Sequence, residues 1–324
     1  MENKHVAIVF GKISEQPKED ELDVLEEIEN VEDSLKLLGY QVHKIPFSLD
    51  IPSFMAEIKA VNPLFAFNLI ESVDGSGELQ VLGPAILKHM KIPYSGVPIE
   101  ALFLTTHKIL AKKLFRLTGI PTAPWFCLDE LDRLDPARRY IHKPIGEDAS
   151  VGINDDNVFY GDDHEKKRLL STLDPEKHFV EEFIEGRELN ISMIGGKKGP
   201  ITFPPAEIIF DEYPEDKLKI VNYNAKWISD SYEYTHTPRT FDFPDEDKPM
   251  LEEARKVALR CWKEFGLKGY VRVDFRIDQH NKPFVLEING NPCITKEAGF
   301  WSASQVAGLA FTEVIQAVIE DALD

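Results

Sequence analysis

The segment that most constrains this chain is Val271-Arg272-Val273-Asp274-Phe275-Arg276-Ile277, followed by Asp278-Gln279-His280-Asn281-Lys282-Pro283 and then Phe284-Val285-Leu286-Glu287-Ile288-Asn289. Apolar and polar residues alternate with a period of two, as in strands with one buried face. Val271, Val273, Phe275 and Ile277 take one face, and Arg272, Asp274 and Arg276 the other. Leu286 and Ile288 stand opposite to Glu287 and Asn289 in the same manner. The polar stretch between the halves marks a turn. A symmetric turn centred between His280 and Asn281 predicts Asp274 across from Glu287 and Arg272 across from Asn289. Facing carboxylates repel, and a hard cation between them removes that cost. Magnesium takes about six oxygens, commonly one or two of them carboxylates and the rest phosphate and water. Asn289 adds a neutral oxygen, and Arg272 can hold a phosphoryl or acyl-phosphate oxygen. The competing reading is a solvated polar face on an amphipathic hairpin.

Upstream, residues 5–11 (HVAIVFG) read as a short buried strand. Leu22, Leu25, Ile28, Val31, Leu35 and Leu38 then recur at helical spacing, and Gly39 supplies a left-handed stop. Strands follow at 41–45 and 64–69. This order predicts a right-handed βαβ unit and a parallel sheet. Thr106 is the expected cap of a helix over 108–118. Strands are expected at 139–143 and 179–184, with the glycine-bounded loop 146–152 after the first. Residues 211–244 read as irregular. Helices are expected at 249–265, closed by Gly266, and at 307–323. The chain divides on this reading into an N-terminal α/β domain (1–104), a small central unit (105–188) and a C-terminal unit (189–324).

Lys+Arg 37 against Asp+Glu 56 leaves a net charge of −19. So acidic a surface repels phosphate backbones and argues against nucleic acid as a partner. Cys127, Cys261 and Cys293 form neither a CxxC pair nor a zinc spacing, which favours a reduced, cytoplasmic setting. The N-terminal residues lack the apolar region of a signal peptide, and no apolar run approaches the ~18 residues of a membrane span. P-loop, Rossmann, zincin and serine-hydrolase motifs are missing too.

With Asn289-Gly290-Asn291-Pro292 closing the hairpin, the segment resembles the ATP-grasp superfamily, and within it the D-alanine–D-alanine ligase-like group. His142-Lys143-Pro144 with Gly146–Gly152 resembles the loop that covers the phosphates. Residues 181–188 (EEFIEGRE) look like the adenine and ribose segment. Tyr223-Asn224-Ala225-Lys226 is similar to the lysine before the substrate loop. The resemblance runs over roughly 100–295, more weakly from the N-terminus. It implies an α/β (α+β) ATP-grasp fold with an N-terminal parallel-sheet domain. It implies ATP and Mg2+, for which Mn2+ can substitute, and a C–N ligase. ATP phosphorylates a carboxylate, and an amine then displaces phosphate. Lys108 and Lys143 would hold phosphates, joined by Ser150 of the loop. Glu181 would accept the adenine amino group, Phe183 and Ile184 would offer backbone, and Glu188 would bind ribose. Lys226 and Arg272 would stabilise the transferring phosphoryl group. Asp274, Glu287 and Asn289 would bind the metal. Small-molecule substrates and a homodimer are also implied, with no membrane and no nucleic acid.

Departures from the group gather at the substrate end. The paired serines of the phosphate loop are Ala149-Ser150 here. The tyrosine after the lysine is Trp227, the glycine after the NxxP turn is Cys293, and the serine five residues further is Ala298. The GGxSxE opening reads FGKISEQ, and the usual His-Gly is missing from Phe67-Asn68-Leu69-Ile70-Glu71. An amino-acid-like substrate is therefore the expectation, without a commitment to D-alanine as both partners. A small-molecule kinase and a non-catalytic nucleotide-binding regulator are the alternatives. Cys293 is expected to be a small turn residue rather than a nucleophile.

Overall fold

The computed structural model describes residues 4–17 and 19–324, without the side chains of 19–21. Strands β1 (His5–Gly11), β2 (Gln41–Phe47) and β3 (Phe65–Leu69) form a parallel sheet in the order β2-β1-β3. Helices Glu19–Leu37 and Ile51–Val61 connect them. In the first helix the buried stripe is not the expected one. Leu22 and Leu25 are 37% and 43% exposed, while Glu27 is 2% exposed beside Ile28, Val31 and Leu35. The start of this helix hangs over a cleft instead of packing on its own sheet.

β4 (Trp125–Cys127), β5 (Arg139–Pro144), β6 (Val158–Tyr160) and β7 (His178–Glu182) make a small antiparallel sheet in the order β4-β7-β5-β6. Helix Lys108–Thr118 precedes it. Its cap is His107, whose Nδ1 accepts from the Leu110 N–H at 3.3 Å, and not Thr106. Thr106 is the last residue of helix Ile99–Thr106 and cannot take the extended backbone that a cap requires.

The third sheet contains β8 (Arg187–Ile194), β9 (Ile201–Thr202), β10 (Ala206–Ile208), β11 (Arg239–Thr240), β12 (Tyr270–Ile277) and β13 (Pro283–Asn289). Its order is β11-β10-β8-β12-β13, with β9 on β8. Two short helices, Tyr223–Trp227 and Tyr232–Thr235, punctuate the otherwise irregular 211–244 stretch. Helix Lys248–Glu264 covers one sheet face and stops before Gly266, at φ +62°. The C-terminal helix expected at 307–323 is Phe311–Leu323, which starts four residues later, and a helix that was not expected, Gly299–Val306, precedes it. Gly308 at φ +85° separates them. One apolar core joins Val271, Val273, Phe275 and Ile277 to Ala111, Phe115 and the 248–264 helix. A second unites β1 and β3 with Tyr270, Phe300 and the last helix, so the first sheet is anchored to the third.

The hairpin has the expected register where it counts. Arg272 faces Asn289 and Asp274 faces Glu287. Beyond Asp274 the turn is not symmetric, because a bulge shifts the pairing so that Phe275 faces Val285. The bulge also turns Leu286 away from the core, and it lines the cleft while Val285 is buried.

Gly186, at φ +141°, turns the chain into β8. A Cβ there would stand 1.9 Å from the Ile277 carbonyl oxygen. Gly186→Ala is therefore expected to destabilise the chain by about 2 kcal/mol or more, since backbone strain and a clash with backbone combine. A lowered urea midpoint at constant slope is the readout, and a wild-type midpoint would contradict this account.

Candidate active site

The cleft between the small and large sheets has a volume of about 790 Å³. Its floor is a grid of side chains set by strand register. β8 pairs with β12 without a break, placing Ser192, Arg272 and Asn289 in one row and Asn190, Asp274 and Glu287 in the next. The core residues between them point away, so Arg272, Asn289, Asn190, Asp274 and Glu287 line the cleft, while Ser192 is buried at the end of its row.

Charge balance in the grid is tight. Arg272 forks onto Asp274, with Nε–Oδ1 and Nη2–Oδ2 both 2.7 Å. Lys108 lies 3.5 Å from Glu287 and 3.1 Å from Asp148, and donates to the Glu147 carbonyl. Burial opposes the charged form of Glu287, but Lys108, Lys226, Lys143 and Arg272 outweigh it and hold the carboxyl down at about 2. Burial equally opposes the Lys108 ammonium, and Asp148 and Glu287 raise its pKa in spite of that. Metal fit can be tested on these groups. Two carboxylates face each other, Asn289 stands on the same face, and Asn190 Oδ1 is buried with no hydrogen-bond partner among the described residues. An all-oxygen donor set of this kind suits a hard divalent cation.

The small sheet forms the roof. Glu181, 1% exposed, is clamped between Lys143 at 2.6 Å and Lys112. Burial disfavours its charge, but the two lysines prevail and its pKa falls. Glu188 accepts from Arg276 at 2.9 Å and from the Val221 N–H at 3.2 Å. Phe183 N–H donates to the Arg139 carbonyl, and the Ile184 carbonyl accepts from Arg276 Nε.

Loop 146–152 is folded over the opening. Trp227 Nε1 donates to the Ala149 carbonyl at 2.9 Å, and Ser150 Oγ to the Val221 carbonyl at 2.8 Å. Gln80 Nε2 reaches Asp148 at 3.3 Å. Gly146 lies so close to Glu78 that a Cβ would meet its Cγ at 2.0 Å. The loop is thus held by both the first domain and the 220s segment. Trp227, which differs from the group's usual tyrosine, supplies one of those ties.

At the far end, Cys293 lies among acids, a poor setting for a thiolate. Its thiol donates to Asp23 at 2.9 Å, and burial, with Glu27, Glu71 and Asp23 around it, pushes the pKa well up. Every residue expected at the site lies in or beside this cleft: Lys108, Lys143, Ser150, Glu181, Phe183, Ile184, Glu188, Lys226, Arg272, Asp274, Glu287 and Asn289. Sequence reading missed Lys112, Asn190, Arg239 and the acids Asp23, Glu26 and Glu27. For the three acids the one signal was the excess of acid on the first helix.

A family model described as the D-Ala–D-Ala ligase C-terminus matches residues 140–320, more than half the chain. The chain belongs to the D-alanine–D-alanine ligase family. As a member it is an ATP-dependent, ADP-forming ligase. It is 30% identical over 295 residues to D-alanine–D-alanine ligase of Carboxydothermus hydrogenoformans, covering 87% of each chain. It is 26% identical to the Haemophilus ducreyi ligase, covering 99% of this chain and 98% of that one. In fold it is similar to the Bacillus anthracis D-alanine–D-alanine ligase complexed with ATP, with TM-score 0.75, 21% identity, and coverage of 99% and 97%. D-alanyl-alanine synthetase A from Vibrio cholerae gives TM-score 0.77 at 18% identity, with both chains fully covered. Among the described residues of the ligase no helix is long and apolar enough to cross a membrane.

One buried acid in the ligase gives a test in pH. Burial holds the Glu27 carboxyl up at about 8, although its Oε1 accepts from the Ile294 N–H at 2.7 Å. A raised carboxyl stabilises the fold fully below its unfolded value of 4.5, and that contribution is lost as pH rises through about 8. The melting temperature is expected to fall between about pH 5 and 9, and to fall less in Glu27→Gln. Equal slopes for the two proteins would show that Glu27 does not carry the effect.

Proposed function

We propose that this ligase joins two amino-acid-like molecules, other than a pair of D-alanines, through an acyl phosphate. The observation that carries this is the position of Lys226 and Arg272 in the one cleft, between the metal-binding acids and an open, altered substrate end. We keep 1–104, 105–188 and 189–324 as its structural units, and the homodimer and cytoplasmic setting as part of the proposal.

Asp274, Glu287 and Asn289 would hold Mg2+, which supplies screening of the phosphate charge. Lys108 and Lys143 bind the phosphates under the folded loop, to which Ser150 belongs. Lys143 can leave Glu181 for phosphate because Lys112 still neutralises that buried acid. The oxygen released on Glu181 then accepts the adenine amino group. Ile184 N–H and the Phe183 carbonyl are the backbone groups that pair with the base, and Glu188 takes the ribose. Lys226 and Arg272 stabilise charge on the phosphoryl group as it passes to the substrate carboxylate. ADP leaves the phosphoryl group behind as acyl phosphate. The amine attacks the carbonyl carbon, phosphate departs, and the amine proton is lost as the amide forms. A dry cleft matters here, because water would hydrolyse the acyl phosphate.

Arg239 supports a substrate with a free carboxylate. Its Nε is buried without a partner, while Nη1 bonds Ser302 at 3.1 Å. It stands 3.4 Å from where a Gly299 Cβ would lie, next to Ala298. A guanidinium there can replace the serine that the group carries at 298 as the carboxylate's anchor.

ADP release on mixing with ATP, Mg2+ and pooled amino acids tests the reading. Amine-dependent ADP with an amide product is expected, whereas a stable phosphorylated product would mean a kinase. Glu287→Ala is expected to lower kcat by at least about 10³-fold, as removal of central electrostatic groups does. An active variant would overturn the metal site.

A further inference from the structure

The substrate end of the cleft carries more carboxyl groups than an ordinary zwitterion needs. Asp23 and Glu26 project from the first helix, and Glu71 follows β3. Glu27 lies just behind them, buried against Ile294 N–H. Among the described residues, none of the four has a salt bridge to a lysine or arginine. Glu71 has no hydrogen-bond partner at all there. Asp23 is matched only by the weak thiol donor of Cys293.

These acids are not a loose surface patch. Asn291, 5% exposed, donates to the Ile70 carbonyl at 3.3 Å and accepts from the Tyr270 hydroxyl at 2.8 Å. That pair of bonds fixes the residue before Glu71 to the strand that carries Arg272. Ile294 is tied to Glu27 in the same way. The acid wall is thus tied to the strand of Arg272, and it shares one cavity with Arg272 and Lys226. Like charges packed this way cost stability unless a cation is brought to them. Burial and the nearby Glu27, Asp23 and Asp148 carboxylates accordingly push Glu71 well up, with Lys226 opposing.

A molecule whose carboxylate rests on Lys226 and Arg272 places its α-ammonium within the same cavity, and one carboxylate satisfies it. We propose that one of the two joined molecules is a basic amino acid, and that its additional side-chain ammonium docks between Glu71 and Asp23, toward Glu26 at the rim. The inference rests on the ligase reading above and narrows its substrate. Ala298 fits the same picture, since it is smaller than the serine the group carries there and leaves room for a longer side chain.

Purified full-length protein with ATP and Mg2+ would be assayed for ADP release with lysine and ornithine, each in both chiral forms. Norleucine, which has the length of lysine without its ammonium, and alanine are the comparisons. Lysine or ornithine is expected to exceed norleucine at least about tenfold in kcat/KM, because a site built for a polar group discriminates strongly against its absence. Equal or better turnover of norleucine or alanine would overturn the inference and leave the ligase reading standing. Failure of every amino acid to stimulate ADP release would overturn both. Glu71→Gln is expected to raise the ratio of the lysine KM to the ATP KM at least about tenfold. Asp23→Asn, on a different element, is the second variant should the first not fold. Equal losses for lysine and norleucine in these variants would count against the assignment. With unmodified protein, lysine should raise the melting temperature more than norleucine does, and the reverse order would refute the docking.

Discussion

The pairing of Asp274 with Glu287 is the constraint on which the rest of the cleft depends. Two carboxylates held face to face in a desolvated place are tolerable only with cations near them. The structure gathers Arg272, Lys108, Lys143 and Lys226 about that pair. Each comes from a different element, so the charge requirement of one hairpin draws a helix, the small sheet and the 220s segment to a common point. Nucleotide binding would exchange these internal partners for phosphate and metal at little change in overall charge balance. That exchange is what a preorganised phosphoryl-transfer site needs.

The roof solves a related problem with the Lys112–Glu181–Lys143 clamp. A buried pair that loses one member leaves a costly isolated charge. With two lysines on one glutamate, either can move while the acid stays neutralised. Lys112, 1% exposed, is the buried partner, and Lys143 is the one that lines the cleft.

The hairpin was legible in the sequence because strict alternation over both halves fixes faces, and a short polar turn fixes register near the acids. The bulge after Asp274 was not, since nothing in residues 278–283 announces an extra residue on the return strand. The helix-by-helix reading failed where tertiary contacts overrode local pattern. Leu22 and Leu25 keep helical spacing yet stay exposed, because the cleft and not the sheet lies beneath the helix start. Glu27 was hidden for the same reason, as an acid among acids that only the fold could bury. The residues expected at the nucleotide end, which share the cleft, were read from short motifs, which are local. The substrate-end acids come from helix 19–37 and the turn after β3, and meet only when the first sheet docks on the third.

The bulge has one more consequence. β12 is paired without interruption to β8 from Tyr270 to Ile277, so the position of Asp274 is fixed from its inner side. The mismatch with β13 is taken up between Asp274 and Phe275, before the tip at Asp278–Lys282. The tip is therefore mechanically insulated from the acids. Residues added there would lengthen an exposed loop at modest entropic cost and leave the grid of side chains in place. The hairpin that carries the chemistry also offers an insertion point, where a reporter could be grafted a few residues from the active site without shifting its register.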